Sequence, residues 1–284
     1  MKLYKTGQGI LLQFKEEYYV LQHDWDKLIN RDNLYAFLLE EYLSGKKITT
    51  TQAEEWLREY LLPPIGSQEV WAAGVTYLRS RDARMEESKD TGGADCYSRV
   101  YEAERPELFF KALPHRVVGH LQSVYIRKDS AWNVPEPELA LYINSAGAIQ
   151  AYTIGNDMSS RSIEGENPLY LPQAKVYDKS AGLGPCLYIS EQPIPIETGI
   201  HMTIHRNEVK MYEGNTTLKQ MKRLLPELVS YLYRETDFAT GSFLMTGTCL
   251  VPPADFTLQA NDVVTISIDS IGTLVNYVAV KGSI

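Results

Sequence analysis

The segment WNVPEPELALYINSAG, residues 132–147, places two acidic residues directly before an apolar run. Glu136 and Glu138 each follow a proline, and residues 139–143 are then typical of a buried strand. Residues i and i+2 of a strand point to the same face, so the two carboxylates would lie side by side and repel each other. A solvated strand end tolerates this arrangement, whereas a buried site requires a cation between the carboxylates.

A second apolar run, residues 150–154, ends at a Gly-Asn-Asp turn. If the two runs pair as a hairpin across the NSAGA turn, Asp157 approaches Glu136 and Glu138. Three carboxylates with open positions for water or substrate suit a hard cation, namely Mg²⁺, with Mn²⁺ or Ca²⁺ as alternatives. From the spacing alone, a solvated strand end and a turn-forming aspartate are the more common explanation, and the metal site remains the alternative.

The composition restricts the class of protein. The 284 residues are 44% hydrophobic and 23% charged, which is typical of a soluble globular protein. A net charge of −8 argues against nucleic acid and against an anionic membrane surface as partners. The first nineteen residues resemble neither a signal nor a transit peptide, and no apolar run reaches 18 residues. Three widely spaced cysteines favour the reducing cytoplasm over a disulfide framework or a zinc site.

The pattern of apolar and turn residues divides the chain into two parts. We predict a small N-terminal α/β domain over residues 1–65, with a hairpin at residues 10–14 and 18–21 and helices at residues 34–44 and 51–60. A capping box from Thr51 to Glu54 would begin the second helix, and the LLPPIG segment would end the domain. Residues 66–284 are rich in short strands, with helices predicted at residues 81–88, 96–103 and 218–234. The predicted fold class is therefore α+β, with a mixed β-sandwich or rolled sheet as its main body.

Four motifs follow one another in the main body: PEPELALYI, GNDMSSR, AKVYDKSAGLGP and LMTGT. In this order they resemble the fumarylacetoacetate hydrolase superfamily, whose body is a β-sandwich roll. The resemblance implies that Glu136, Glu138 and Asp157 bind a divalent metal. It also implies that Lys175 is the active-site lysine and that Thr248 contacts the substrate carboxylate. Members of the superfamily cleave C–C bonds, decarboxylate, hydrate or dehydrate 2-oxo acids held on the metal.

One departure from the superfamily pattern bears on the reaction. Its hydrolases carry a histidine in a G-x-N-Y-x-x-H motif, and this chain reads GVTYLRS with Ser80 at that position. The change argues against hydrolysis of a C–C bond, which requires a base to activate water. The resemblance implies that three residues of this segment bind the substrate, namely Tyr77, Arg79 and Ser80.

The segment RPELFFK, residues 105–111, extends the resemblance to one branch of the superfamily. That branch dehydrates 2-keto-3-deoxy-pentonates, such as 2-keto-3-deoxy-D-arabinonate, to 2,5-dioxopentanoate in oxidative pentose degradation. The resemblance implies a Mg²⁺-dependent hydro-lyase in which Lys175 takes the C3 proton. Glu107, kept protonated beside apolar rings, would donate a proton to the departing C4 hydroxyl.

Other interpretations remain open. One is a hydrolase or decarboxylase acting on an acylpyruvate or another 2-oxo acid, and another is a non-catalytic metal-binding or ligand-binding relative. In each enzymatic case the partner is a small molecule, and we predict a homo-dimer or homo-tetramer. Arg161 is predicted to contact a metal-binding carboxylate and not the substrate.

Overall fold

The computed structural model describes residues 1–79, 85 and 94–282, with the side chains of residues 94–97 excluded. Within these residues eighteen strands and seven α-helices are present. The strands are β1 (Lys2–Thr6), β2 (Gly9–Phe14), β3 (Glu17–Leu21), β4 (Lys46–Ile48), β5 (Glu69–Gly74), β6 (Glu107–Ala112), β7 (Val117–Val118), β8 (Gln122–Ile126), β9 (Asn133–Val134), β10 (Pro137–Ile143), β11 (Ile149–Asp157), β12 (Ser159–Ser160), β13 (Ala181–Tyr188), β14 (Gly199–Arg206), β15 (Val209–Thr217), β16 (Ser242–Met245), β17 (Val263–Ile268) and β18 (Gly272–Val280). The helices are α1 (Trp25–Ile29), α2 (Leu34–Ser44), α3 (Thr50–Glu59), α4 (Ala94–Glu102), α5 (Arg161–Glu166), α6 (Leu171–Lys175) and α7 (Leu225–Leu232).

The predicted hairpin lies in the middle of a large mixed sheet. Strands β10 and β11 pair antiparallel, and every residue of β10 is buried. The sheet runs in the order β4-β3-β2-β1-β13-β11-β10-β16-β5-β6, with β7 paired to β13. A strand covered on both faces needs apolar side chains at successive positions, which explains the unbroken LALYI run. The predicted hairpin of residues 139–143 and 150–154 is confirmed.

A second sheet packs against the first. It has five strands in the order β15-β14-β17-β18-β8. Side chains from both sheets meet in one hydrophobic core, for example Leu141 and Ile154 from the large sheet with Ile204 and Leu274 from the smaller one. The prediction of a mixed, sheet-rich fold with a few helices is confirmed.

The N-terminal residues supply four strands of the large sheet. Strand β1 pairs antiparallel with β13, with Leu3 opposite Leu187, so the sheet is continuous from β4 to the central hairpin. The division into residues 1–65 and 66–284 stays a prediction. The hairpin of β2 and β3 and the helix α2 are confirmed.

Two helix predictions need correction. Helix α3 begins at Thr50, and the side chain of Thr49 accepts its capping hydrogen bond from the Gln52 backbone N–H. The predicted capping box of Thr51 and Glu54 is therefore wrong, because Thr51 already lies inside the helix. The predicted helix at residues 218–234 is a short 3-10 turn followed by α7, since Pro226 would clash with the preceding turn of a continuous helix.

The remaining helix predictions differ in outcome. The helix predicted at residues 96–103 is α4, Ala94–Glu102. Of the helix predicted at residues 81–88, only residue 85 is among the described residues, so the prediction is not tested. Among the helices of the described part of the chain, none has the length and apolar character needed to cross a membrane.

Candidate active site

Three buried carboxylates meet where the central hairpin begins and ends. Glu136 directly precedes β10, Glu138 is its second residue, and Asp157 is the last residue of β11. The Asp157 backbone N–H donates to the Glu136 carbonyl at 2.9 Å, which holds the two strand ends together. One oxygen from each carboxylate lies within 4.8 Å of the others, and the residues are at most 4% exposed. Buried like charges at this distance require cations, and the oxygen set fits a hard divalent metal.

Lys175 provides one positive charge at this cluster. It ends α6 and is fully buried, and its Nζ donates to Glu136 Oε2 at 2.6 Å and to Asp157 Oδ2 at 2.9 Å. A third hydrogen bond, of 2.5 Å, goes to the hydroxyl of Ser159. The Phe109 ring centroid lies 5.7 Å from the same nitrogen. The amine therefore faces both the carboxylates and an apolar wall.

Arg161 is buried between two carboxylates, those of Glu136 and Glu164. The Arg161 guanidinium donates to Glu136 Oε1 at 2.6 Å, so the predicted contact with Glu136 is present, while metal binding by this carboxylate stays a prediction. Its other terminal nitrogen is 3.6 Å from Glu164 Oε2, and both residues are at most 2% exposed. Sequence reasoning missed Glu164. The available signal was its position one turn after Arg161 on a short helix whose N-terminus follows the GND turn.

Lys111 is a second fully buried lysine, which sequence reasoning also missed. Its Nζ is 2.5 Å from Asp157 Oδ1 and donates to the carbonyls of Lys175 and Met158. Burial lowers the pKa of Lys111, and the neighbouring Asp157 carboxylate opposes that shift. The available signal was strand alternation, because Glu107, Phe109 and Lys111 fall on one face of β6.

Glu107 begins β6 and stands opposite Gly74 on β5. A Cβ atom on Gly74 would lie 1.9 Å from Glu107 Oε2, so the carboxyl group crosses the strand at the one residue without a side chain. Gly74 also lines the pocket that contains the three carboxylates. Glu107 itself is not among the residues that line this pocket, and its role as the proton donor stays a prediction.

The TGT turn closes the same pocket. The Gly247 N–H donates to Glu138 Oε2 at 2.5 Å, and Thr248 lines the pocket, while its contact with the substrate carboxylate stays a prediction. Gly247 has φ +93°, and a Cβ atom there would lie 2.0 Å from the Thr76 hydroxyl oxygen. That hydroxyl donates to the Thr246 carbonyl at 2.7 Å. The turn is thus locked against the segment that follows β5.

Two predicted substrate-binding residues border a different cavity. Tyr77 and Arg79 line a space of about 470 Å³ together with Asn215, Thr216 and Gln220. Neither of the two lines the pocket of the three carboxylates. Ser80 lies outside the described residues. The substrate contacts assigned to these three residues stay predictions.

The environment of Glu138 raises the pKa of its carboxyl group. Burial raises the pKa of Glu138 well above its ordinary value of 4.5, and the charges of Asp157 and Glu136 raise it further. The positive charge of Lys175 and the Gly247 N–H oppose this shift. Glu138 therefore favours its protonated form when no metal cation shares the site.

This shift predicts how the stability of the metal-free protein depends on pH. The folded-state pKa of Glu138 lies above its unfolded value, so its stabilising contribution is complete below the unfolded pKa and is lost as pH rises through the folded pKa. In excess chelator, the melting temperature of Glu138→Gln should fall less steeply with rising pH than that of the wild type. Melting curves of both proteins from pH 4.5 upward measure this difference, and identical slopes would contradict it.

Comparison with known proteins assigns the chain to a family. Residues 70–279 match the family model described as fumarylacetoacetate (FAA) hydrolase C-terminal, which covers most of the chain. The chain belongs to the fumarylacetoacetate hydrolase family. The family resemblance of the four motifs is thereby confirmed.

Two relatives and one solved structure that resemble the chain are named as dehydratases of keto-deoxy sugar acids. The chain is 49% identical over 216 residues to a probable 2-keto-3-deoxyxylonate dehydratase of Haloferax volcanii, covering 76% of this chain and 73% of that protein. It is 38% identical over 242 residues to a 2-dehydro-3-deoxy-D-arabinonate dehydratase of Saccharolobus solfataricus, covering 82% and 81% of the two chains. A solved structure of 2-keto-3-deoxy-D-arabinonate dehydratase complexed with magnesium and 2,5-dioxopentanoate is 33% identical, with a TM-score of 0.83 over 99% of both chains.

Proposed function

We propose that this protein is a Mg²⁺-dependent dehydratase that converts a 2-keto-3-deoxy-pentonate, such as 2-keto-3-deoxy-D-arabinonate, to 2,5-dioxopentanoate. The observation that carries the proposal is the buried cluster of Glu136, Glu138 and Asp157 with Lys175 bonded across it. Relatives that are 38% and 49% identical are named as dehydratases of such acids. The structure of the 33% identical dehydratase contains magnesium and the proposed product.

The donor set of the cluster is suitable for the proposed metal. Glu136, Glu138 and Asp157 would supply three carboxylate oxygens, which Mg²⁺ prefers to nitrogen or sulfur. When bound, Mg²⁺ would act as a Lewis acid toward the carboxylate and C2 carbonyl of the substrate, which makes the C3 protons more acidic.

Lys175 is the proposed base. Its Nζ already contacts two of the three proposed metal ligands, so a second cation at the same oxygens favours loss of the lysine proton. The neutral amine would then accept the C3 proton of the substrate. Its three hydrogen bonds and the Phe109 ring hold the nitrogen in place and keep bulk water away.

Glu107 is the proposed acid. It would donate a proton to the C4 hydroxyl as this group leaves as water, after which the unsaturated acid isomerises to the C5 aldehyde. The Gly247 and Thr248 backbone and the Thr248 hydroxyl border the same pocket and are proposed to hold the substrate carboxylate. Tyr77, Arg79 and Ser80 are proposed to contact the hydroxylated end of the substrate.

The reaction can be tested directly on the purified protein with Mg²⁺. A panel of 2-keto-3-deoxy-pentonates should yield 2,5-dioxopentanoate, which is measured by coupling to an aldehyde dehydrogenase. Acylpyruvates should react poorly, because Ser80 replaces the histidine of the hydrolases. Rapid release of pyruvate from an acylpyruvate, without dehydration of any keto-deoxy sugar acid, would favour a hydrolase instead.

Location and assembly are further parts of the proposal. We propose a cytoplasmic protein, which is supported by the free thiols of Cys186 and Cys249. A homo-dimer or homo-tetramer stays a prediction, and light scattering of the purified protein measures it.

A further inference from the structure

From these contacts we infer that Lys111 is a positioning residue that sets the proposed base Lys175 against the metal-binding carboxylate Asp157. The inference rests on the proposed function, because it assigns Lys111 a part in the same site. Lys111 does not line the pocket of the three carboxylates. It therefore acts through the two residues that it holds and not by contact with the substrate.

The Lys111 nitrogen has three buried oxygen atoms within contact distance. Its nitrogen lies 2.5 Å from Asp157 Oδ1, 2.6 Å from the Lys175 carbonyl oxygen and 3.0 Å from the Met158 carbonyl oxygen. The two carbonyl oxygens accept hydrogen bonds from Lys111, and Asp157 Oδ1 forms an ion pair with it. Because the residue has 0% exposure, no water replaces any of these partners without a change in the surrounding packing.

Two of these contacts connect a proposed metal ligand, Asp157, with the backbone of the proposed base, Lys175. Asp157 ends a strand of the large sheet, whereas Lys175 ends the five-residue helix α6. The carbonyl at the end of a helix has no donor within that helix, so Lys111 supplies the partner that the Lys175 carbonyl lacks. One nitrogen on the strand β6 thereby fixes the distance between the backbone of the proposed base and a proposed metal ligand.

The two oxygens of Asp157 are divided between the two lysines. Lys111 holds Oδ1, while Oδ2 accepts from Lys175 Nζ. Fixing one oxygen restricts rotation of the carboxylate and keeps the other directed at the site. Removal of Lys111 would leave Asp157 Oδ1 and two carbonyl oxygens buried without this donor, which favours local rearrangement of α6.

Removal of Lys111 has opposing effects on metal affinity. The carboxylate loses orientation, which weakens the binding of a cation, and the site loses a nearby positive charge, which strengthens it. We therefore expect the dissociation constant for Mg²⁺ to change by less than about tenfold, whereas the rate should fall ~10–100-fold because Lys175 is displaced.

The experiment compares Lys111→Met with the wild-type enzyme. Calorimetric titration with Mg²⁺ measures the metal affinity, exchange of the C3 proton in D₂O measures the action of the base, and the coupled assay measures kcat and KM. Exchange and kcat should fall together by the same factor, with the Mg²⁺ affinity nearly unchanged. Lys281→Met is the matched control, because this exposed lysine pairs with Asp178 on the surface and should leave all three quantities unchanged.

Each result has a defined meaning. Unchanged exchange and kcat in Lys111→Met would overturn the inference, and so would a loss of Mg²⁺ affinity as large as the loss of rate, since Lys111 would then act on Asp157 alone. If Lys111→Met fails to fold, Lys111→Arg, which keeps the charge but not the three-contact geometry, is judged by the same criteria. A wild-type enzyme that neither binds Mg²⁺ nor dehydrates the substrate would instead overturn the proposed function.

Discussion

Replacement of Asp157 by asparagine should abolish dehydration while the protein remains folded. Asp157 contacts Lys111 through one oxygen and Lys175 through the other, and it is one of the three proposed metal ligands. The uncharged amide removes a ligand and places an NH₂ group beside two lysines. A Lewis acid worth about 4 kcal/mol at the transition state corresponds to a roughly 10³-fold loss of rate. The same result is expected for Glu136→Gln and Glu138→Gln.

The loss of metal must be separated from the loss of stability. The melting temperature of the wild type should rise when Mg²⁺ is added, because a ligand that binds the folded state stabilises it. In the three carboxylate variants this rise should be strongly reduced. Asp262→Asn is the matched control, since Asp262 is equally buried but pairs with Arg206, which has no contact with the cluster. That variant should melt at a lower temperature and still be stabilised by Mg²⁺.

Chelation gives the same test without any substitution. Excess chelator should stop dehydration by the wild type, and Mg²⁺ added beyond the chelator should restore it. Full activity in excess chelator would rule out a metal role for the cluster. A variant lacking one carboxylate that retains both full activity and the Mg²⁺-dependent rise in melting temperature would remove that residue from the ligand set.

The parts of the site that could be predicted depend on patterns local in the chain. The alternation of a strand and a short turn predicted that Glu136, Glu138 and Asp157 would converge, because the hairpin of β10 and β11 is formed by adjacent segments. The bounds of α2 followed from local apolar spacing in the same way. Cap positions are harder to predict, since a two-residue shift in the start of α3 transfers the cap from Thr51 to Thr49.

The missing parts of the site come from contacts between distant segments. Lys111 reaches the Lys175 carbonyl across 64 residues, and nothing in the residues beside Lys111 indicates that partner. The pairing of β1 with β13 likewise joins Lys2 to Tyr188, so a local reading of the first 65 residues does not show that they extend the large sheet. Family resemblance assigned roles to Lys175 and Glu107, but it gave no account of the buried lysine that holds one of them.

Lys175→Met and Glu107→Gln should separate the two proton transfers of the reaction. Loss of the proposed base should stop both dehydration and exchange of the C3 proton with D₂O. Loss of the proposed acid should stop dehydration but leave part of the exchange, because the C3 proton is removed before the C4 hydroxyl departs. Each loss of dehydration should be on the order of 10²–10⁴-fold, as is usual for a general acid or base.

The two groups lie on different elements of the fold. Lys175 Nζ lies at the end of α6 between Glu136 and Asp157, whereas the Glu107 carboxyl group crosses Gly74 at the start of β6.

Proton NMR in D₂O measures exchange of the C3 proton, and the coupled assay measures dehydration on the same sample. If Glu107→Gln stopped exchange while Lys175→Met kept it, the two roles would have to be reversed. If neither variant altered exchange, the C3 proton would have to leave to another group, and Glu104 or a metal-bound hydroxide would be tested next. The order of events thus decides the assignment, because a group that acts only on the leaving hydroxyl cannot control a proton that is lost before that hydroxyl departs.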